Sequence, residues 1–527
     1  MADYDYDMLV IGSGPAGQRA AIQAAKLDKR VAIVERNETV GGAAVNVGTI
    51  PSKTLREAVL YLSGCRERGL YGDAYVVKRD VRLADLLVRT DYVTRYEVDV
   101  TLNQIMRNRI ELLAAEASFI DPHSLHLIYT DGRGHRDVTA DKIIIATGTS
   151  ATRPDNVPID GIQIFTSDDI LDLDRLPRML TVVGAGVIGC EFTSIFATLG
   201  VRVTLIDKYP RMLTFVDSEI VESLVYNMRQ NRVILRLGEE VERIEAVDDG
   251  KGERVRIHLA SGKQIVSEKA LYSIGRTGST DGLNSSAAGL EPDDRGRISV
   301  NDFFQTDTPN IYGAGDVVGF PSLASTSMEQ GRIAACHAFS IETNLMLELF
   351  PYGIYTIPEI STVGLNEEEL TKQGVPYEVG KAQYREIARG QIIGDRTGLL
   401  KLIFHLETHA LLGVHAIGEG ASELVHIGQA VLAYGGKVDY FLDTVFNYPT
   451  LAECYKTAAF DGINRLSVCR FPGSLVPGAH WTARTLSPDP ALPYLASSGR
   501  TSLPPLLTTP FCYSNVYWPR SREMSRF

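Results

Sequence analysis

The sequence MLVIGSGPAG at Met8–Gly17 consists of four apolar residues followed by a turn that contains three glycines. The alanine-rich residues 18–27 then predict a helix, and the apolar residues 31–34 predict a second strand that ends at Glu35. A strand, a Gly-x-Gly-x-x-Gly turn, a helix and an acid after the next strand together form the context in which such a turn binds a dinucleotide. The segment therefore predicts a parallel α/β sheet with a phosphate-binding loop at its edge.

The same arrangement occurs a second time in the chain. The sequence TVVGAGVIG at Thr181–Gly189 leads into a predicted helix that ends near Leu199, and the strand at residues 201–206 ends at Asp207. The first glycine and the acid are equally far apart in the two copies. Two copies in matched contexts predict two dinucleotide sites; two glycine turns in an ordinary doubly wound sheet are the alternative.

Each glycine of the motif has a physical role. The first allows the tight turn from strand to helix, the second lets a pyrophosphate approach the backbone, and the third permits close contact between helix and sheet. The N-terminus of the helix adds free N–H groups and partial positive charge. We expect the following residues to bind the two dinucleotides: Gly12, Gly14, Gly17 and Glu35 in the first copy, and Gly184, Gly186, Gly189 and Asp207 in the second.

Composition and charge exclude several classes of partner. The chain has 527 residues, a hydrophobic fraction of 44% and a formal net charge of −12, so it has no basic surplus for nucleic acid or an anionic membrane. No apolar run reaches the roughly 20 residues that a membrane span needs. The six cysteines are scattered without metal-binding spacing, and the acidic N-terminus does not read as a secretory signal. We expect a cytoplasmic protein without a metal site; His405 and His409 fall at a predicted hairpin turn.

The pattern of elements divides the chain into five predicted segments. After residue 466 the composition changes, and the remaining residues contain nine of the 23 prolines and both tryptophans. We interpret this tail as disordered or aberrant, and a partner-binding tail is the alternative. The predicted segments are a first dinucleotide domain at 1–150, a second at 151–275, a return to the first at 276–350, an α+β unit at 351–466, and the tail at 467–527.

A further segment, GGAAVNVGTIPSK at Gly41–Lys53, resembles the redox centre of the pyridine nucleotide-disulfide oxidoreductase family, which includes lipoamide dehydrogenase and glutathione reductase. The resemblance extends in order over most of residues 1–466, through YTIPE at Tyr355–Glu359 and FNYPT at Phe446–Thr450. It implies a Rossmann-like domain for FAD, a second for NAD(P), and an α+β dimerisation domain that makes the protein a homodimer or a higher homo-oligomer.

The departures from the family pattern bear on the reaction. Ala44 and Thr49 stand where the family has its two redox cysteines, and Tyr448 stands where it has a catalytic histidine. Disulfide exchange needs two sulfurs, so this chain is expected to lack it. Within the family the chain resembles the branch of soluble transhydrogenases, which implies hydride transfer between NADPH and NAD⁺. An NAD(P)H dehydrogenase that reduces quinones or oxygen, and a flavin-binding protein without turnover, remain alternatives.

The resemblance also implies roles for particular residues. Lys53 would lie near the reacting part of the flavin and pair with Glu191, and Tyr448 and Glu453 would reach the partner's flavin site. With the first loop and Glu35, the implied FAD site consists of Gly42, Thr49, Ser52, Lys53, Thr147, Gly148, Gly315 and Asp316. With the second loop, the implied NAD(P) site consists of Glu191, Asp207, Lys208, Arg211, Gly275 and Arg276.

The end of the second copy carries mixed charge. Asp207 suits the ribose 2′-hydroxyl of NAD and repels the 2′-phosphate of NADP. Lys208 and Arg211 could pair with that phosphate, or they could be ordinary surface charges. Mixed chemistry of this kind is what an enzyme that accepts both nucleotides requires.

Overall fold

The computed structural model describes residues 4–64, 67, 71, 81–248, 253–345 and 349–469. Its helices are α1 (Pro15–Ala25), α2 (Gly42–Asn46), α3 (Thr49–Ser63), α4 (Leu83–Arg107), α5 (Val187–Thr198), α6 (Ser218–Gln230), α7 (Ala324–Ala338), α8 (Glu367–Gln373), α9 (Ala388–Ile393), α10 (Ala421–Ala433), α11 (Asp439–Asp443) and α12 (Glu453–Cys469). Its strands are β1 (Tyr6–Ile11), β2 (Val31–Glu35), β3 (Glu111–Asp121), β4 (Ser124–Tyr129), β5 (His135–Ile145), β6 (Thr149–Ala151), β7 (Ile164–Phe165), β8 (Met179–Val183), β9 (Arg202–Asp207), β10 (Ile234–Leu237), β11 (Val241–Asp248), β12 (Glu253–Leu259), β13 (Gln264–Ser267), β14 (Lys269–Tyr272), β15 (Arg276–Gly278), β16 (Ile311–Gly313), β17 (Tyr352–Ile354), β18 (Ile360–Gly364), β19 (Tyr377–Gln383), β20 (Leu399–His405) and β21 (Leu411–Ile417).

The first sheet is built around β1. Its parallel strands lie in the order β3, β2, β1, β5 and β16, with Leu9 opposite Ala32 on one side and Ile143 on the other. The central strand is apolar from Met8 to Ile11 because both of its faces are buried. Helices α1 and α7 cover one face, and residues of β3, β4 and β5 cover the other. Beyond this core, the long strands β3 and β5 continue as antiparallel partners of β4. The parallel strands end at one edge, which carries the first glycine loop.

The second sheet repeats this plan. Its parallel strands lie in the order β10, β9, β8, β14 and β7, and an antiparallel unit of β11, β12 and β13 accompanies it. Strand β6 pairs with β15. These two short strands come before and after the strands of the second sheet in the chain. The chain then returns to the first sheet through β16. The internal duplication in the sequence thus corresponds to two similar α/β folds.

The third sheet is antiparallel and lacks a glycine loop of this kind. Its strands lie in the order β17, β18, β21, β20 and β19, and the hairpin of β20 and β21 pairs Leu400 with Ala416. Helices α10 and α12 bury residues such as Val425 and Tyr455 in the same apolar cluster as these strands. This α+β unit follows the two parallel sheets in the chain.

Some element boundaries differ from the sequence prediction. Helix α1 begins at Pro15 rather than residue 18, because proline's fixed φ suits the first turn of a helix. Helix α12 continues to Cys469, past the predicted start of the tail at residue 467. The tail from residue 470 onward lies outside the described residues, and the division into domains stays a prediction. Among the described helices, none is both long and apolar enough to cross a membrane.

Candidate active site

A cleft of about 1400 Å³ opens at the edge where the strands of the first sheet end. Helices α3 and α5 and strand β17 form its other walls. Among the predicted site residues, those that line it are Gly12, Gly14, Glu35, Gly42, Thr49, Ser52, Lys53, Thr147, Gly148, Glu191, Arg276, Gly315 and Asp316. The first loop, the Gly41–Lys53 segment and the Gly315–Asp316 turn therefore meet in one place.

The first glycine loop has the geometry that its motif predicts. Gly12 has a φ of +105°, and a Cβ on Gly17 would lie 2.0 Å from the carbonyl oxygen of Gly12. The Glu35 carboxylate is buried and accepts hydrogen bonds from the backbone N–H (3.0 Å) and the hydroxyl (2.6 Å) of Ser13. Ser13 was not predicted as a site residue because its position in the motif is variable. The loop is thus fixed against the acid at the end of β2.

The second loop reproduces this arrangement. Gly184 has a φ of +106°, and a Cβ on Gly189 would lie 1.8 Å from the Gly184 carbonyl oxygen. The Asp207 carboxylate accepts a hydrogen bond of 2.6 Å from the backbone N–H of Ala185, the residue that corresponds to Ser13. The duplication therefore extends to the hydrogen bond between loop and acid.

Other predicted residues lie outside the lining of the large cleft, as far as the described residues define it. They are Gly17, Gly184, Gly186, Gly189, Asp207, Lys208, Arg211, Gly275, Tyr448 and Glu453. Lys208 lines a smaller cleft of about 550 Å³ together with Tyr209 and Glu239. Arg276 lines the large cleft, but its guanidinium donates to Thr149 (2.8 Å to Oγ1) and to Asp168 (3.1 Å). This arginine links β15 to β6.

Lys53 and Glu191 form an ion pair at the wall of the large cleft. The Lys53 ammonium donates to both carboxylate oxygens of Glu191, at 2.7 and 3.0 Å. The side chain of Glu191 is 4% exposed, and that of Lys53 is 27% exposed. Tyr355 completes the group, because its N–H donates to Glu191 (2.8 Å) and its ring lies 4.9 Å from the Lys53 ammonium. A single positive charge is therefore held at a defined point facing the cleft.

Helix α3 is held in place one turn beyond Lys53. The buried guanidinium of Arg56 donates to the backbone carbonyl of Thr356 (2.9 Å) and pairs with buried Glu359 (3.2 Å). Both partners belong to the YTIPE segment that contains Tyr355. The sequence singled out this segment as a family motif, but gave no role to its residues. Its role in the structure is to fix the helix that carries Lys53.

Two buried polar groups of the cleft, on Thr147 and Asp316, bear on what it could bind. The buried Oγ1 of Thr147 has no hydrogen-bond partner among the described residues. Burial raises the pKa of the Asp316 carboxyl above its ordinary value, although the charge of Arg276 and hydrogen bonds from Thr149 (3.4 Å) and Ser327 act in the opposite direction. Buried polar groups are normally hydrogen-bonded, so these positions suit a polar ligand.

No cysteine whose side chain the structure describes lies in this cleft. Ala44 and Thr49 line it at the positions where the resemblance implies the redox cysteines. Cys190, Cys336 and Cys454 are buried as free thiols, and burial raises the pKa of each thiol, that of Cys454 to about 12. Thiolate chemistry at neutral pH is therefore disfavoured at these three positions.

Tyr448 and Glu453 lie near the start of α12, in the α+β unit. The side chain of Tyr448 is largely exposed in the single chain. One carboxylate oxygen of Glu453 is buried without a hydrogen-bond partner among the described residues, and burial raises the pKa of this carboxyl. Neither residue lines the large cleft of its own chain.

Residues 6–331 match the family described as pyridine nucleotide-disulphide oxidoreductase, and residues 350–459 match the dimerisation domain of that family. The chain belongs to the pyridine nucleotide-disulphide oxidoreductase family. It is 55% identical over 462 residues to the soluble pyridine nucleotide transhydrogenase of Mycobacterium bovis. The aligned residues cover 88% of this chain and 98% of that protein. A protein of the same name from Escherichia coli is 45% identical over 467 residues, 88% of this chain and 99% of the relative. The solved structure of LpdA from Mycobacterium tuberculosis has a TM-score of 0.79 at 26% identity and covers 86% and 98% of the two chains.

These matches confirm the predicted family and fold class, and the dimerisation domain indicates a homo-oligomer. Proteins of this family use FAD and nicotinamide dinucleotides, and the cleft fits FAD. A Cβ on Gly42 would lie 2.8 Å from the Cα of Gly14, so the two glycines leave the backbone bare beside the loop. Thr147 and Asp316 supply polar atoms along the cleft, and Glu35 closes the end at the first loop.

Proposed function

We propose that this protein transfers hydride from NADPH to NAD⁺, with FAD as its bound cofactor. The observation that carries the proposal is the Lys53–Glu191 ion pair in a cleft where Ala44 and Thr49 replace the redox cysteines. The transhydrogenase relatives support the same reaction. NADPH and NAD⁺ become NADP⁺ and NADH, so the reaction needs no thiol and no external reductant.

The residues of the chain divide this task between them. Gly12, Gly14 and Glu35 would hold the adenosine end of FAD, and Asp316 its ribityl region. FAD, when bound, accepts a hydride from one nicotinamide and returns it to another. Lys53 supplies a fixed positive charge where negative charge develops, and such preorganised charges lower the barrier. Glu191 and Tyr355 hold the ammonium in place.

The second loop would hold each nicotinamide dinucleotide in turn. Gly184, Gly186 and Gly189 bring the backbone close to the pyrophosphate, and Asp207 faces the adenosine ribose. We further propose a cytoplasmic homodimer that binds no nucleic acid, with Tyr448 and Glu453 contributed to the partner's site. The division at residues 150, 275, 350 and 466 is our proposal for the domains.

Anaerobic mixing of the purified protein with NADPH tests this function directly. NADPH should bleach the flavin absorbance band, and NAD⁺ added afterwards should restore it while NADH forms. Bleaching that only a quinone or oxygen reverses would indicate an NAD(P)H dehydrogenase instead. A band that NADPH leaves unchanged would indicate a flavin-binding protein without turnover.

A further inference from the structure

Strand β9 ends at the acid Asp207, and the loop after it carries two cations, Lys208 and Arg211, next to the proposed second dinucleotide site. The Asp207 carboxylate is held by the backbone N–H groups of Ala185 (2.6 Å) and Tyr209 (2.8 Å). NADP differs from NAD by a phosphate on the adenosine ribose. An acid fixed at the end of β9 favours NAD, so binding of NADP requires a cation that pairs with the 2′-phosphate.

The two cations have different surroundings. The Lys208 ammonium lies 5.2 Å from the ring of Tyr209, at the smaller cleft. The Arg211 guanidinium instead donates to Glu368 Oε1 at 3.3 Å, and these two side chains are 48% and 40% exposed. Arg211 therefore already has an anionic partner, and this partner belongs to the α+β unit rather than to the second sheet.

The backbone around Glu368 is held in place by hydrogen bonds of Asn366. Glu368 lies in the first turn of α8, which Asn366 caps by accepting a hydrogen bond of 2.8 Å from the N–H of Glu369. The Asn366 amide in turn donates to the backbone carbonyl of Phe215 (3.4 Å), in the loop that carries Arg211. The backbone that carries Glu368 is thus held beside the loop that carries Arg211.

The two possible partners of Arg211 differ in strength. An exposed ion pair changes an equilibrium constant by roughly one- to fivefold. A charge-assisted contact with a phosphate changes it by roughly ten- to a hundredfold. A 2′-phosphate can therefore take Arg211 from Glu368, whereas NAD leaves the pair intact.

We propose that Glu368 is a specificity-determining residue that competes with the 2′-phosphate of NADP(H) for Arg211. With NAD(H), Arg211 keeps its ion pair with Glu368, and Asp207 accepts a hydrogen bond from the ribose hydroxyl. With NADP(H), Arg211 moves to the phosphate and Glu368 weakens the binding by the strength of the broken pair. The inference rests on the proposed function, since it describes how one site would accept both nucleotides.

Two probes without nicotinamide test this competition separately from hydride transfer. Adenosine 2′,5′-bisphosphate and adenosine 5′-monophosphate are titrated calorimetrically into the FAD-loaded protein. Glu368→Gln should tighten the bisphosphate roughly two- to fivefold and leave the monophosphate unchanged. Arg211→Gln should weaken the bisphosphate roughly tenfold or more. In the double variant, Glu368→Gln should no longer have an effect, because its target is gone.

Glu222→Gln is the matched control, since it removes a negative charge from an exposed position on α6. It should leave both affinities unchanged. An unchanged bisphosphate affinity in Glu368→Gln, an equal change for both probes, or the same gain in the Arg211→Gln background would overturn the inference. Loss of hydride transfer in the wild-type protein would refute the proposed function but would leave this binding result readable.

Discussion

The Lys53–Glu191 pair shows how neighbouring residues fix the position of one charge in the cleft. A lysine side chain in water samples many rotamers, whereas Lys53 is bound by both oxygens of a buried carboxylate. Glu191 in turn cannot move freely, because the Tyr355 N–H also donates to it. The charge therefore has a defined orientation in the structure, and for the proposed catalytic role this is the condition that electrostatic stabilisation requires.

Replacement of this charge should slow the reaction without weakening nucleotide binding. We expect Lys53→Gln to lower the rate of NADPH-dependent flavin bleaching by roughly tenfold or more, because developing negative charge loses its partner. NADP⁺ affinity, set mainly by the second loop, should change less than twofold, within roughly 0.4 kcal/mol. Stopped-flow absorbance and equilibrium titration measure the two quantities. Lys372→Gln, at an exposed position of α8, is the control; a matched loss of affinity and rate in Lys53→Gln would contradict the proposed role.

The absence of paired sulfurs at Ala44 and Thr49 makes a separate prediction about electron capacity. A flavin without a redox disulfide takes up two electrons, so an anaerobic dithionite titration should end at two electrons per subunit. No absorbance band from a thiolate beside the flavin should appear at any stage. Uptake of four electrons would mean that another cysteine pair takes part.

At the scale of elements, a buried charge cluster joins α6 to the third sheet. The Lys401 ammonium of β20 lies 2.8 Å from both Asp217 oxygens and 3.2 Å from Glu219, and it also contacts Glu367 of α8. Lys401 and Asp217 have no exposed side-chain surface. The three carboxylates are spaced as metal ligands could be, but in the described structure the lysine supplies the compensating charge.

Breaking this cluster on one side should destabilise the protein strongly. Lys401→Met leaves Asp217 buried without its cation, which costs roughly 3–5 kcal/mol. The double variant Lys401→Met with Asp217→Asn should recover much of that loss, because no uncompensated buried charge remains. Urea unfolding of the FAD-loaded protein measures both. If the double variant is no more stable than Lys401→Met, the ion pair is not the source of the effect.

The acid dependence of this contact follows from the same residues. Burial would raise the pKa of Asp217, but His415 and Lys401 outweigh it and hold that pKa below its ordinary value. A carboxyl with a lowered pKa contributes stability above its unfolded pKa, and that contribution is lost as the pH falls through the folded pKa. The Asp217→Asn variant should therefore lose less stability than the wild type over this acid range.

The sequence could predict those elements whose signals are local. Both glycine loops depend on residues within about 25 positions of one another, and periodicity and turn chemistry suffice to place them. Lys53 and Glu191 lie far apart in the chain, and only the family resemblance paired them. The contacts of Arg211 with Glu368 and of Lys401 with Asp217 had no such guide, because pairing between distant charges depends on how whole elements pack. Arg276 likewise lines the large cleft because the pairing of β6 with β15 places it at that cleft.

At the scale of the molecule, the α+β unit of a single chain leaves several large apolar side chains exposed. Tyr434, Val445 and Tyr448 are 93%, 90% and 69% exposed. Large exposed apolar patches usually mark an interface, and these side chains are candidates for one. The match of residues 350–459 to a dimerisation domain assigns this part of the chain to self-association.

We therefore expect a charge placed on this surface to dissociate the protein. Val445→Asp should shift the sedimentation coefficient toward that of a monomer at micromolar concentration, and hydride transfer should fall with it if Tyr448 and Glu453 complete the partner's site. Ile162→Asp is the control, because Ile162 is 62% exposed but belongs to the part of the chain around the second sheet. A fully active monomer of Val445→Asp would show that each chain carries a complete site.

The arrangement of the two loops around one ion pair also determines the expected kinetics. Glu191 belongs to α5, the helix that begins at the second glycine loop, and it pairs with Lys53. We therefore expect a nicotinamide dinucleotide held by that loop to extend toward Lys53. If one site serves both half-reactions, NADP⁺ must leave before NAD⁺ enters. Initial rates should then give parallel double-reciprocal lines, and each nucleotide should compete with the other at high concentration. Intersecting lines would require both nucleotides to be bound at once. The second loop could not then be the site that binds both of them.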